Sequence, residues 1–129
     1  MSYSLKSEDA GTLKEIVDVI IGYQSEDRYR RLAAQLPRYK IDRNASTKTK
    51  VVFYIDHKRL LGDVEYNLDV EAQLRSVSGN LLHAIVYIDE NNSLSSLEIF
   101  PWEGGIDQPD VSTIVPVRFG PDGVSIMKK

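Results

Sequence analysis

Cysteine is missing from all 129 residues. That excludes disulfides, thiolate metal sites and cysteine nucleophiles, and it suits a reducing cytoplasm without requiring one. Histidine is scarce, occurring only at His57 and His83. A zinc site needs three or four ligands at fixed spacing, and no H-x-x-x-H or equivalent is present, so no metal or other cofactor is expected. Long apolar runs are missing too: "LLHAIVYI" falls far short of the roughly 20 residues of a membrane helix. The start, "MSYSLKSEDAGTLKE", carries acids where a signal peptide needs an apolar stretch. An excess of basic charge is also lacking, since the net charge is −3. This argues against a general nucleic-acid binder. The expectation is a soluble, cytoplasmic protein that touches neither membrane nor nucleic acid.

What is present fits a single α+β domain spanning 1–129, long enough to close a core without staples. Leu13, Ile16, Val17, Ile20 and Ile21 recur at the spacing of one helical face. Ser7 is a plausible N-cap; because Gly11 weakens the first turn, Thr12 is an alternative, and Gly22 is the expected stop. "SEDRYRRLAAQLP" predicts a second helix capped by Ser25, with Tyr29, Leu32, Ala33 and Leu36 as its buried stripe and Pro37 as its end. Arg28, Arg30, Arg31, Arg38, Lys40 and Arg43 form the basic part of the chain and read as a solvated helix face and loop, with a phosphate or RNA contact as the alternative.

From Tyr39 the period changes to alternation. "YKI" predicts a short edge strand, "VVFYID" a central strand, and "LLHAIVYID" and "SLSSLEIF" a pair joined by "ENN". "STIVPVRFGPDGVSIMKK" predicts a last hairpin turning at "PDG". Two helices followed by strands give helices packed on one face of a largely antiparallel sheet, mostly a meander.

The most regular stretch is "DVEYNLDVEAQL". Val64, Tyr66, Leu68, Val70, Ala72 and Leu74 share one parity and should face the helices, leaving Asp63, Glu65, Asp69 and Glu71 as a carboxylate stripe toward water. Lys48, Lys50 and Arg75 are candidates to neutralise it from neighbouring strands. An ordinary solvated face is one reading; a docking surface for a basic partner is the other, where charge governs association rate and partner choice. "EIFPWEGG" adds Phe100 and Trp102 where the sheet ends, as core closure or as an interaction hot spot.

Other candidate chemistry is thin. His83 lies in an apolar strand and is expected to be a hydrogen-bonded or partly exposed strand residue rather than a catalytic base. His57 beside Asp56 offers half of a proton-transfer pair, but no nucleophile is placed by sequence. "DENNSLSSLE" looks like a calcium loop, yet Leu94 stands where the loop needs glycine and Phe100 where it needs its bidentate acid. It is expected to be a hairpin turn, with Asn91 and Asn92 tolerating left-handed backbone.

The segment "GNLLHAIVYIDENNSLSSLEIFPWEGG", through Asp89, Leu94, Leu97, Glu98, Trp102 and Gly104, resembles a family of small bacterial proteins similar to the cytosolic immunity proteins encoded beside toxins. The resemblance covers about a quarter of the chain. It implies a non-enzymatic protein that binds a cognate toxin domain and blocks its active site, with no catalytic residue of its own; separately, a monomer or homodimer is expected. Many such toxins are nucleases with basic clefts, so the implied partner is a basic protein domain. Asp63, Glu65, Asp69 and Glu71, with Tyr87 and Trp102 as aromatic anchors, are the nominal contacts. The alternatives are a small enzyme or ligand-binding domain with a cavity between helices and curved sheet, and a homo-oligomeric structural protein.

Overall fold

A computed structural model describes residues 3–55, 58–59, 65–102, 104–120 and 123–126. Two helices come first, α1 (Ala10–Ile21) and α2 (Glu26–Gln35). The cap of α1 is Asp9 rather than Ser7 or Thr12: its carboxylate accepts from the Thr12 amide at 3.3 Å, satisfying one of the orphan donors of the first turn. Gly22 ends the helix as expected. Ser25 caps α2 through a bond from the Arg28 amide at 3.4 Å, and a 3₁₀ turn, Leu36–Arg38, carries the chain past Pro37.

Among the described residues nine strands follow: β1 (Lys40–Asp42), β2 (Lys50–Ile55), β3 (Lys58–Arg59), β4 (Tyr66–Asn67), β5 (Glu71–Ser76), β6 (Leu81–Ile88), β7 (Leu94–Pro101), β8 (Pro109–Gly120) and β9 (Gly123–Ile126). They form one antiparallel sheet in the order β1-β2-β7-β6-β5-β8-β9, with β3 beside β2 and β4 beside β6. The meander holds for β5-β6-β7, and β8-β9 is the terminal hairpin. Two pairings join segments distant in sequence: β2 docks on β7, and β8 returns to β5. The turn between β6 and β7 places Asn92 at φ 58°, in left-handed backbone that asparagine tolerates.

The helices cover one face. Leu13, Ile16, Val17, Ile20 and Ile21 are fully buried, and they pack in one cluster with Val51, Phe53, Ala72, Leu74, Leu82, Ala84, Val86, Leu97 and Ile99 from alternate strand positions. Each Val, Leu, Ile or Phe among them contributes about 1.5–3 kcal/mol when fully buried. Tyr29 departs from the expected stripe of α2: it is 37% exposed, while Leu32 makes the core contact.

The long alternating stretch is not one strand. Asn67 pairs with Tyr87 and Ala72 with Ala84, so two extra residues lie on the β4–β5 side. The chain bends at Asp69 and β5 begins afresh. An insertion of two preserves parity, so Leu68, Val70, Ala72 and Leu74 are still buried. Val64 lies outside the described residues, and among those described Tyr66 is the exception, at 52% exposure.

Candidate functional site: the helix-free face of the sheet

Because strand side chains alternate, the face turned away from the helices is assembled from the positions between the core residues. It carries Lys50 on β2; Ser96, Glu98 and Phe100 on β7; Leu81, His83, Ile85 and Tyr87 on β6; and Glu71, Gln73 and Arg75 on β5. Trp102 follows β7 and its amide donates to the Leu81 carbonyl at 2.8 Å, which sets its ring beside the same strand.

The predicted acidic stripe does not form as a row of free carboxylates, for a reason that alternation alone does not reveal. Asp63 and His57 lie outside the described residues. Glu65 is turned inward, accepting from Lys50 Nζ at 2.8 Å and from the hydroxyls of Ser95 and Ser96 at 2.7 and 3.0 Å. Burial raises the Glu65 carboxyl's pKa, but the bonds from Lys50 and the two serines outweigh it and leave it below the ordinary value. Glu71 holds His83, with Oε1 and Nε2 2.5 Å apart, and accepts from Asn67 Nδ2 at 3.4 Å. Asp69 is exposed at the bend, where it helps to line a cleft of about 410 Å³ with Arg28, Tyr66, Asn67, Asp89, Glu90 and Asn92. Of the three cations proposed to neutralise the stripe, Lys50 does so; Arg75 instead donates to the Gly79 carbonyl at 3.3 Å.

Two structural consequences follow. First, Lys50, Glu65 and Tyr87 form a small cage: the ammonium lies 4.8 Å from the Tyr87 ring centre while paired to Glu65. The Tyr87 hydroxyl donates to Glu98 at 3.0 Å. Burial, that bond and the charges of Glu98, Glu65 and Glu71 together push its pKa up to about 12. Second, His83 is 1% exposed and lies under two rings, 5.3 Å from Phe100 and 5.4 Å from Trp102 between centres. Phe100 and Trp102 themselves lie nearly parallel, 6.4 Å apart with planes at 25°. Of the two expectations for this strand histidine, hydrogen-bonded or partly exposed, the first holds, and the imidazole is the support on which the aromatic pair rests.

Trp102 does not close the core. It is 49% exposed, on a face whose other large side chains, Leu81, Ile85, Tyr87 and Phe100, are half-buried. Beside it, a slot of about 180 Å³ is lined by Gln73, Leu74, Arg75, Leu81, Thr113 and Val115, at the point where the β5–β8 register shifts between Gln73 and Arg75. Sequence reasoning named Tyr87, Phe100 and Trp102 but missed His83 and Ile85 as their platform. The signal available was their common parity on β6 and β7.

Among the described residues no group of three or more histidines, cysteines and acids is placed to hold a metal ion, and no helix is long and apolar enough to cross a membrane. No protein-family model, curated protein or solved structure matches the chain.

Proposed function

We propose that this is a non-enzymatic binding protein of the immunity type, which neutralises a cognate toxin domain by covering its active-site region. The observation that carries the reading is a half-exposed tryptophan held on a braced face. Trp102 stacks near Phe100, and both lie against a histidine locked by Glu71. Binding hot spots are enriched in tryptophan and tyrosine. An anchor whose supports are already fixed loses less entropy on association. The contact surface accordingly centres on Trp102, Phe100 and Tyr87, with Glu65 and Glu71 as internal braces and Asp69 at the rim.

Co-expression with the product of the adjacent gene tests the reading. The expected result is a complex that survives purification and a partner whose toxicity is suppressed. A partner that purifies separately and keeps its full activity in the presence of this protein rejects it.

A further inference from the structure

The helix-free face already holds one cation between a ring and a carboxylate, namely Lys50 between Tyr87 and Glu65. The adjoining part of the face repeats those ingredients. Ile85 pairs with Glu98 on β7, and Ala84 pairs with Ala72 on β5, which brings Glu71 to the other side of Ile85. Strand spacing separates the two glutamate Cα atoms by about 10 Å, with the isoleucine as an apolar floor between them. Along β7, Phe100 comes two residues after Glu98 and Trp102 two after that, so rings follow the carboxylate on the same face.

Glu98 is half-buried, and its hydrogen bond is the one it receives from Tyr87. No cation among the described residues is within ion-pair distance of it: Lys50, its cross-strand neighbour, is turned to Glu65. Among the described residues, Glu65, Glu71 and Glu98 all act on Tyr87, and Lys50 is paired to Glu65.

We infer that this part of the face docks a protein partner through a cationic side chain, an arginine or lysine, seated over Ile85 with its charge on Glu98 and its plane or stem against Phe100 and Trp102. The inference rests on the binding-protein reading above and names the chemistry of the partner. A guanidinium fits best, because it meets a carboxylate with two donors and stacks flat on an aromatic face. A phosphate-bearing ligand would be repelled by the same carboxylates.

The test uses the whole chain, labelled with ¹⁵N, and a blocked Gly-Arg-Gly tripeptide beside its citrulline counterpart, which keeps the shape and lacks the charge. The arginine peptide should shift the Trp102 indole N–H and the Ile85 amide saturably. The citrulline peptide and the Glu98→Gln variant should each weaken that binding about tenfold, the worth of one charge-assisted contact with its ring. Glu98→Gln keeps an acceptor for Tyr87, and its amide spectrum reports whether the fold is retained. If it is not, Trp102→Leu, at an exposed position, should weaken the same titration. Equal shifts with citrulline, or undiminished binding in Glu98→Gln or Trp102→Leu, overturn the seat. An adjacent gene product that binds the wild type and Glu98→Gln equally rejects the seat and keeps the immunity reading. Peptide binding with no complex to that product keeps the seat and rejects the reading.

Discussion

Glu71 and His83 meet diagonally across adjacent strands, their Oε1 and Nε2 atoms 2.5 Å apart, with the imidazole almost wholly shielded from water. A carboxylate accepts and cannot donate, so the bond places a hydrogen on Nε2 and fixes the ring's orientation. The fixed ring is what Phe100 and Trp102 lie against. Removing the acceptor should leave a buried donor unsatisfied. Glu71→Ala is expected to destabilise the fold by about 1–3 kcal/mol, and Glu71→Gln by less, because an amide oxygen still accepts. Urea denaturation of the two variants measures this; an unchanged midpoint for Glu71→Ala would show that the bond contributes nothing.

Glu65 gives the protein an acid-sensitive tether. Its carboxyl is held below the ordinary 4.5, so the folded state binds its proton less readily than the unfolded chain does. The associated stability is fully present above about 4.5 and is lost as pH falls through the lower folded value. Glu65→Gln should therefore flatten the fall of stability with acid below that point. Urea midpoints taken from pH 7 down to 3 for both proteins check it, and parallel curves would contradict it.

Tyr87 predicts the opposite limb. With its pKa raised to about 12 from an ordinary 10, the folded state keeps a proton that the unfolded chain has given up. The stability is present below 10 and declines as pH rises from 10 to 12. Tyrosinate absorbance, taken as the difference between wild type and Tyr87→Phe, should show one late-titrating ring. Glu98→Gln should bring that ring earlier, since it removes one of the charges that oppose ionisation. A difference curve centred at the ordinary value would refute the assignment.

Trp102 and Ile99 sit close in sequence and should behave as opposites. Ile99 is fully buried under the helices, whereas Trp102 is half exposed on the other face. Ile99→Ala is expected to cost about 2–5 kcal/mol of folding stability. Trp102→Ala should cost less than about 1 kcal/mol of stability but about 2 kcal/mol or more of partner affinity. Thermal melts and calorimetric titration of the complex separate the two. A large melting shift for Trp102→Ala with unchanged affinity would make the ring a structural cap.

Much of the local structure was legible because it depends on near neighbours. Ser25 caps α2 and Gly22 ends α1 through bonds made within one turn. Asn92 takes left-handed backbone because its own side chain permits it. The start of α1 was misread because Ser7, Asp9 and Thr12 all carry capping oxygens, and only the placement of the Asp9 carboxylate against the Thr12 amide separates them. The acidic stripe was misread for a longer-range reason. Alternation assigns each residue a side, and that assignment held for Leu68 through Leu74; it does not say which neighbouring strand brings a lysine, a serine or a histidine to meet each acid.

Period and capping, which act over one turn or one pleat, decided by themselves that this chain makes two helices and then strands with one apolar side. The docking of β2 on β7 and the return of β8 to β5 were decided only in three dimensions. So were the pairing of Glu65 with Lys50, the pairing of Glu71 with His83 and the exposure of Trp102. These depend on which strands become neighbours, and loop closure between distant segments is set by the packing of the whole core rather than by any local run of residues.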